Sequence, residues 1–196
     1  MIYGEKFIYL HLGKTGGTTI SFWASLCPEF VQHRDADSMD EKHLKLSYQQ
    51  NRFPNIDFST KEVILGFRNI ESWILSHNNF KRIGHPNLLP ENEWITKTRE
   101  GLVCTARRHN MWVAPDQYLK PYITNTKIKH FIRTEYIRED FIKVFKNYGL
   151  VEDKKIKNIT KNSRSYWKPI SFTQQEKQKI YKDNPLWMNI QKKLYI

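Results

Sequence analysis

The stretch FIYLHLGKTGGTTI, residues 7–20, constrains the fold more than any other part of this chain. Phe7 to Leu12 is a near-continuous apolar run, the pattern of a strand buried within a parallel sheet. It stops at Gly13-Lys14-Thr15-Gly16-Gly17-Thr18-Thr19. Apolar residues then resume at Ile20, Trp23, Ala24 and Cys27, the i, i+3, i+4, i+7 spacing of one helix face, closed by Pro28. A loop that opens a helix presents backbone N–H groups and the positive end of the helix dipole, which suits a phosphate or a sulfate. Gly16 and Gly17 let the backbone close around such an anion. Lys14 adds a mobile charge, and Thr15, Thr18 and Thr19 add hydroxyl donors.

The remaining chain alternates strand and helix signals. Phe30 to Gln32 reads as a short second strand, and Ser38 with Glu41 as a capping box opening a helix to about Gln50. KEVILGF, 61–67, is the clearest central strand, followed by a helix from about Glu71 to Arg82 and a loop at Pro86 to Pro90. A long helix is expected from Glu91 to Val113. KIKHFI, 128–133, forms another strand, and its helix runs through Tyr148 to stop at Gly149. Thr173 with Glu176 caps a C-terminal helix, and Pro185 starts one more. Short connections between alternating elements predict an α/β fold: one domain over 1–196, an open, mostly parallel sheet with helices on both faces, and a P-loop-like strand–loop–helix. Ligands of such sheets sit outside the carboxyl ends of the strands. Three stretches lead there directly from a strand: GKTGGTT, Arg68-Asn69, and Arg133-Thr134-Glu135.

Composition sets the class of partner. The net charge is +12 from 32 Lys+Arg against 20 Asp+Glu, and the segment from Val151 onward is rich in lysine. That excess creates an electropositive field suited to an anionic cofactor or a polyanion, and most of these lysines also serve simply as a solvated surface. No apolar stretch approaches the roughly 18 residues of a membrane span. The first strand begins too early to leave room for a signal peptide, and two cysteines make no disulfide framework, so a soluble, cytoplasmic protein is expected. No Cys/His spacing suggests a metal.

The nucleoside-triphosphate P-loop, G-x-x-x-x-G-K-[ST], is the first comparison for the loop. GKT stands at 13–15, but the pattern's first glycine falls on Ile8, and no strand ends in an acidic residue that would hold Mg²⁺. HLGKTGGTT resembles instead the 5′-phosphosulfate loop of PAPS-dependent sulfotransferases, H-I-P-K-T-G-G-T-[ST], with Gly13 for the usual proline. VILGFRNIESWILS resembles that family's 3′-phosphate motif, R-[ND]-P-x-x-R-x-x-S. Arg68 and Ser76 are in place, whereas Ile70 replaces the proline and Trp73 the second arginine. FIRTEYIREDF is similar to the later segment R-x-E-x-[LI]-x-x-D through Arg133, Glu135, Ile137 and Asp140.

The resemblance implies sulfuryl transfer from 3′-phosphoadenosine 5′-phosphosulfate (PAPS) to a hydroxyl acceptor of the carbohydrate class, without a metal. It places Lys14, Thr15, Gly16, Gly17, Thr18 and Thr19 on the 5′-phosphosulfate and Arg68 and Ser76 on the 3′-phosphate. Lys14 would also neutralise charge on the leaving oxygen. Family members use a histidine or a glutamate as base. His33, expected where the second strand ends, is the first candidate, and His43 on the following helix the second; Asp35, Asp37 and Glu41 stay open. His11 belongs to the strand before the loop and reads as packed. KNITKNSRSYWKP, 157–169, suits a loop over the adenine with Tyr166 or Trp167 stacking, or a surface connector. Two other classes stay open: a P-loop kinase or NTPase, and a non-catalytic anion- or nucleic-acid-binding module, for which the basic and aromatic mixture of the C-terminal part is suited.

Overall fold

A computed structural model of the chain describes residues 1–35, 43, 45–84, 90–105, 112–150, 156 and 170–195. The fold is α/β and divides into two compact units. The first comprises Met1–Phe67 and Tyr122–Lys161, the second Arg68–Pro121 and Asn162–Ile196.

The first unit is built on a five-stranded sheet in the order β3-β1-β2-β4-β7. Its strands are β1 (Ile2–Tyr3), β2 (Phe7–Leu10), β3 (His33–Arg34), β4 (Glu62–Phe67) and β7 (Ile128–Arg133). β2, β4 and β7 pair in parallel, while β1 runs antiparallel to both β2 and β3. The sheet is therefore mixed around a parallel centre, where a mostly parallel one was expected, and the second strand expected at Phe30 to Gln32 does not form there. That strand lies at His33–Arg34, and it pairs with a β1 too short to show any alternation. Phe30 is a core residue instead: its carbonyl fills the space beside Gly4, where a Cβ would stand 2.3 Å from it.

Strand alternation sends Phe7, Tyr9, Ile64 and Ile132 to one face. There they pack with Ile20 and Trp23 of α1 (Gly17–Ser25) and with Phe141 and Phe145 of α6 (Ile137–Phe145). Each such large apolar side chain contributes roughly 1.5–3 kcal/mol on burial. α6 passes through a 3₁₀ turn and ends at Gly149, where φ is 105°. The amides of Leu150 and Gly149 return to the carbonyls of Phe145 and Lys146, so the expected stop holds. α2 (Leu46–Arg52) starts from an extended Lys45 with no side-chain cap. The capping box expected at Ser38 and Glu41 lies outside the described residues.

The second unit holds α3 (Ile70–Gly84), α4 (Glu91–Arg99), the antiparallel pair β5 (Val103–Cys104) and β6 (Trp112–Val113), α7 (Gln174–Asp183) and α8 (Pro185–Leu194). The division between the units falls within α5 (Pro115–Ile123). The long helix expected from Glu91 to Val113 is thus three elements. It breaks at Gly101, φ 81°, where Leu102 N–H reaches the Lys97 carbonyl (3.0 Å) and Gly101 N–H that of Thr98 (3.0 Å). This is the Schellman ending, and Ile180 packs so closely on Gly101 that a Cβ there would meet it at 2.6 Å. The Thr173–Glu176 capping box and Pro185 at the first turn of α8 are formed as expected. No helix among the described residues is long and apolar enough to cross a membrane.

Candidate functional site

The loop between β2 and α1 carries an unusual backbone. Lys14 has φ 67° and Gly16 φ 80°, with Thr15 between them at negative φ. Alternation of this kind turns successive N–H groups toward one concave side, a nest suited to an anion. A lysine held in the left-handed region costs roughly 1–2 kcal/mol, so the surrounding structure must impose it. Gly16 is the N-cap of α1, no side chain caps the helix, and its first turn contains no acidic residue. The positive end of α1 is thus not offset by its own sequence. Thr18 is exposed and Thr19 half-buried in that turn.

Four contacts within the first unit fix the loop. His11, 7% exposed, lies against Gly17 so closely that a Cβ on Gly17 would stand 1.9 Å from its Nε2. The buried Thr15 donates its hydroxyl to the Leu12 carbonyl (2.6 Å), which binds the turn to itself and commits that proton to the loop. Thr15 also rests on Gly66 of β4: a Cβ there would be 2.4 Å from Thr15 Oγ1 and 2.7 Å from the Tyr9 hydroxyl. Burial pushes the Tyr9 phenol far up, with contact from Thr15 opposing, so it stays protonated. On the far side Gly16 faces Ile137 and Thr134, and Thr134 donates to the Phe67 carbonyl (3.0 Å), tying the end of β7 to the end of β4. Tyr9, Gly66 and Thr134 were not foreseen as parts of the loop. The isolated glycine inside KEVILGF was the available signal, since such a glycine marks a close approach.

The two histidine candidates part company. His33 pairs with Tyr3, which lies opposite Ile8, so it stands two residues short of the carboxyl end of β2. Its ring stacks on Tyr3 (5.1 Å) and meets Phe53 edge-on (4.9 Å), and its Nε2 lies 3.0 Å from Asp35. Asp35 also takes the Met1 ammonium (2.8 Å) and Arg52 (3.0 Å). His43, by contrast, reaches the loop's first residue. Its Nδ1 is 3.1 Å from the His11 carbonyl, the two rings are 4.4 Å apart, and Tyr122 donates its hydroxyl to the His43 carbonyl. A carbonyl can only accept, so His43 carries a proton on Nδ1. Asp37 and Glu41 lie outside the described residues, as do Tyr166 and Trp167.

No family model, curated protein or solved structure matches the chain.

In the second unit Arg68 is 8% and Ser76 2% exposed. Asn69 is committed to capping α3, accepting from the amides of Glu71 (3.1 Å) and Ser72 (3.3 Å). The Ile70 amide donates to Gln191 (2.8 Å), so the first turn of α3 is closed where that of α1 has no side-chain cap. Trp73, at the position of the sulfotransferase motif's second arginine, is fully buried between Trp187 (4.5 Å), His77 (5.1 Å) and Tyr118 (5.2 Å). Arg133, back in the first unit, forms a bidentate pair with Asp140 at 2.8 Å for both contacts and lies over the Tyr136 ring. Its charge is largely spent within the fold.

Proposed function

We propose that this chain is a sulfotransferase that moves a sulfuryl group from PAPS to a hydroxyl of a carbohydrate acceptor. The observation that carries this reading is the loop. Positive φ at Lys14 and Gly16 leads into a helix with no side-chain cap and no acidic first turn, beside a lysine at the same turn. In this reading the amides of residues 15–19 hold the 5′-phosphosulfate, helped by Thr18 and Thr19. Thr15 contributes its backbone while its hydroxyl holds the turn. The assignment of Arg68 and Ser76 to the 3′-phosphate rests on their order and spacing in the sequence, together with the burial of a permanently charged guanidinium.

His43 is the base in this mechanism, because it stands against the loop, with Nδ1 on the His11 carbonyl and its ring 4.4 Å from that of His11. The acceptor hydroxyl gives its proton to His43 as its oxygen bonds to sulfur. The bond from sulfur to the 5′-phosphate oxygen breaks, and adenosine 3′,5′-bisphosphate leaves with the electron pair. Lys14 neutralises the charge that gathers on that oxygen, a contribution of about a hundred- to a thousandfold in rate for stabilisers of this kind. Incubation with PAPS labelled in the sulfuryl group and a panel of oligosaccharides tests the reading. Label transferred to acceptor, and lost with Lys14→Ala, supports it; transfer of phosphate from ATP in its place would overturn it.

A further inference from the structure

Helix α8 grips the backbone at the Arg68 carbonyl and two residues further on. Trp187 Nε1 donates to the Arg68 carbonyl (3.1 Å), and Gln191 Oε1 accepts from the Ile70 amide (2.8 Å). Residues 187 and 191 are one helical turn apart and so share a face of α8. Trp187 is fully buried, and its ring lies 4.5 Å from Trp73, on the helix that carries Ser76. Glu71, at the first turn of that helix, is held from α7 by Lys177 (3.0 Å) and Tyr181.

A glutamine 9% exposed costs stability unless its amide is hydrogen-bonded, and an aliphatic side chain would fill the same space more cheaply. Its value here lies in the acceptor it offers. The 3′-phosphate motif has a proline at position 70, which has no N–H to satisfy. Ile70 brings an N–H into a buried junction, and Gln191 receives it. We propose that Gln191 and Trp187 are positioning residues for Arg68, fixing the backbone from which its guanidinium meets the 3′-phosphate. This rests on the sulfotransferase reading above.

Calorimetry with two ligands separates positioning from packing: adenosine 3′,5′-bisphosphate, and adenosine 5′-phosphosulfate, which lacks the 3′-phosphate. Gln191→Met is expected to weaken the bisphosphate about tenfold, the effect of losing one well-placed hydrogen bond, and the phosphosulfate less than about twofold. Trp187→Phe, which keeps an aromatic ring and removes the donor, should act in the same sense. The deciding variant is the double change Gln191→Met with Ile70→Pro. Proline is well tolerated at the first helical position and removes the stranded N–H, so bisphosphate affinity should return to within about threefold of the unaltered chain. Equal losses for both ligands, no loss in Gln191→Met, or no recovery in the double variant would each overturn the proposal. Arg68→Ala is the control. If it fails to change the ratio of the two affinities, the assignment of Arg68 falls and the proposal with it; if it does change the ratio while Gln191→Met does not, the proposal alone falls.

Discussion

The imidazole of His11 occupies the space that any side chain on Gly17 would need, with Nε2 1.9 Å from an ideal Cβ. Strand end and helix start are thereby locked together, and the turn between them has little freedom to relax. Gly17→Ala is expected to lower stability by about 1–3 kcal/mol through overpacking. Adding His11→Ala should recover part of that loss, because residues in direct contact couple. Thermal melts of the two single variants and the double variant check this; strictly additive losses would show that the two residues do not share the space.

Lys14 separates stability from activity. Lys14→Gly relieves a left-handed backbone worth roughly 1–2 kcal/mol, and the extra chain entropy of glycine takes back about 0.5–1 kcal/mol. The variant should melt no lower than the unaltered chain. Turnover should fall about a hundred- to a thousandfold, with cofactor affinity changed far less. A variant that melts lower and turns over normally would contradict both parts.

The histidines give opposite expectations. His43→Ala should reduce turnover by about a hundredfold or more, the usual worth of a general base, with bisphosphate affinity little changed. His33→Ala should act on stability instead, since its ring is stacked on Tyr3 and Phe53 and paired with Asp35. Loss of turnover in His33→Ala with an unchanged melt would return the role to His33.

Asp35 is expected to add to the acid sensitivity of the fold. Burial opposes its ionisation, but hydrogen bonds from Arg52, the Met1 ammonium and His33 outweigh that and hold the carboxyl far below its ordinary value of 3.8. A depressed folded-state value means the native state binds fewer protons than the unfolded one. The stabilisation is complete above the ordinary carboxylate range and drains away as pH falls through it. Unfolding free energy measured from pH 6 to pH 3 should decline, and Asp35→Asn should flatten that decline while costing about 3 kcal/mol or more at neutral pH. An equally steep decline in the variant would place the acid sensitivity elsewhere.

Local chemistry was legible in the sequence where a single residue type decides the backbone. Gly149 as a helix stop and Thr173 with Glu176 as a cap formed as read, and a strand, a glycine turn and a helix follow one another within 7–20, the strand ending at Leu10 rather than Leu12. Gly101 carried the same kind of signal, directly after the basic last turn of α4, but the helical periodicity continuing to Val113 masked it. β1 has two residues and no periodicity to read, and its antiparallel pairing is what draws β3 to His33. The site follows the same division. The glycines were visible because the turn demands them, and Lys14 because it stands among them, although its own backbone disfavours a side chain. Tyr122 on His43 and Gln191 on Ile70 depend on contacts across long stretches of chain that no local pattern encodes.

The most direct test of the sulfotransferase proposal is competitive calorimetry of adenosine 3′,5′-bisphosphate against ATP with Mg²⁺. The expected result is binding of the bisphosphate that needs no metal and that ATP with Mg²⁺ displaces only weakly, and its loss by about tenfold or more in Arg68→Ala. Tighter binding of ATP with Mg²⁺, unaffected by Arg68→Ala, would contradict it.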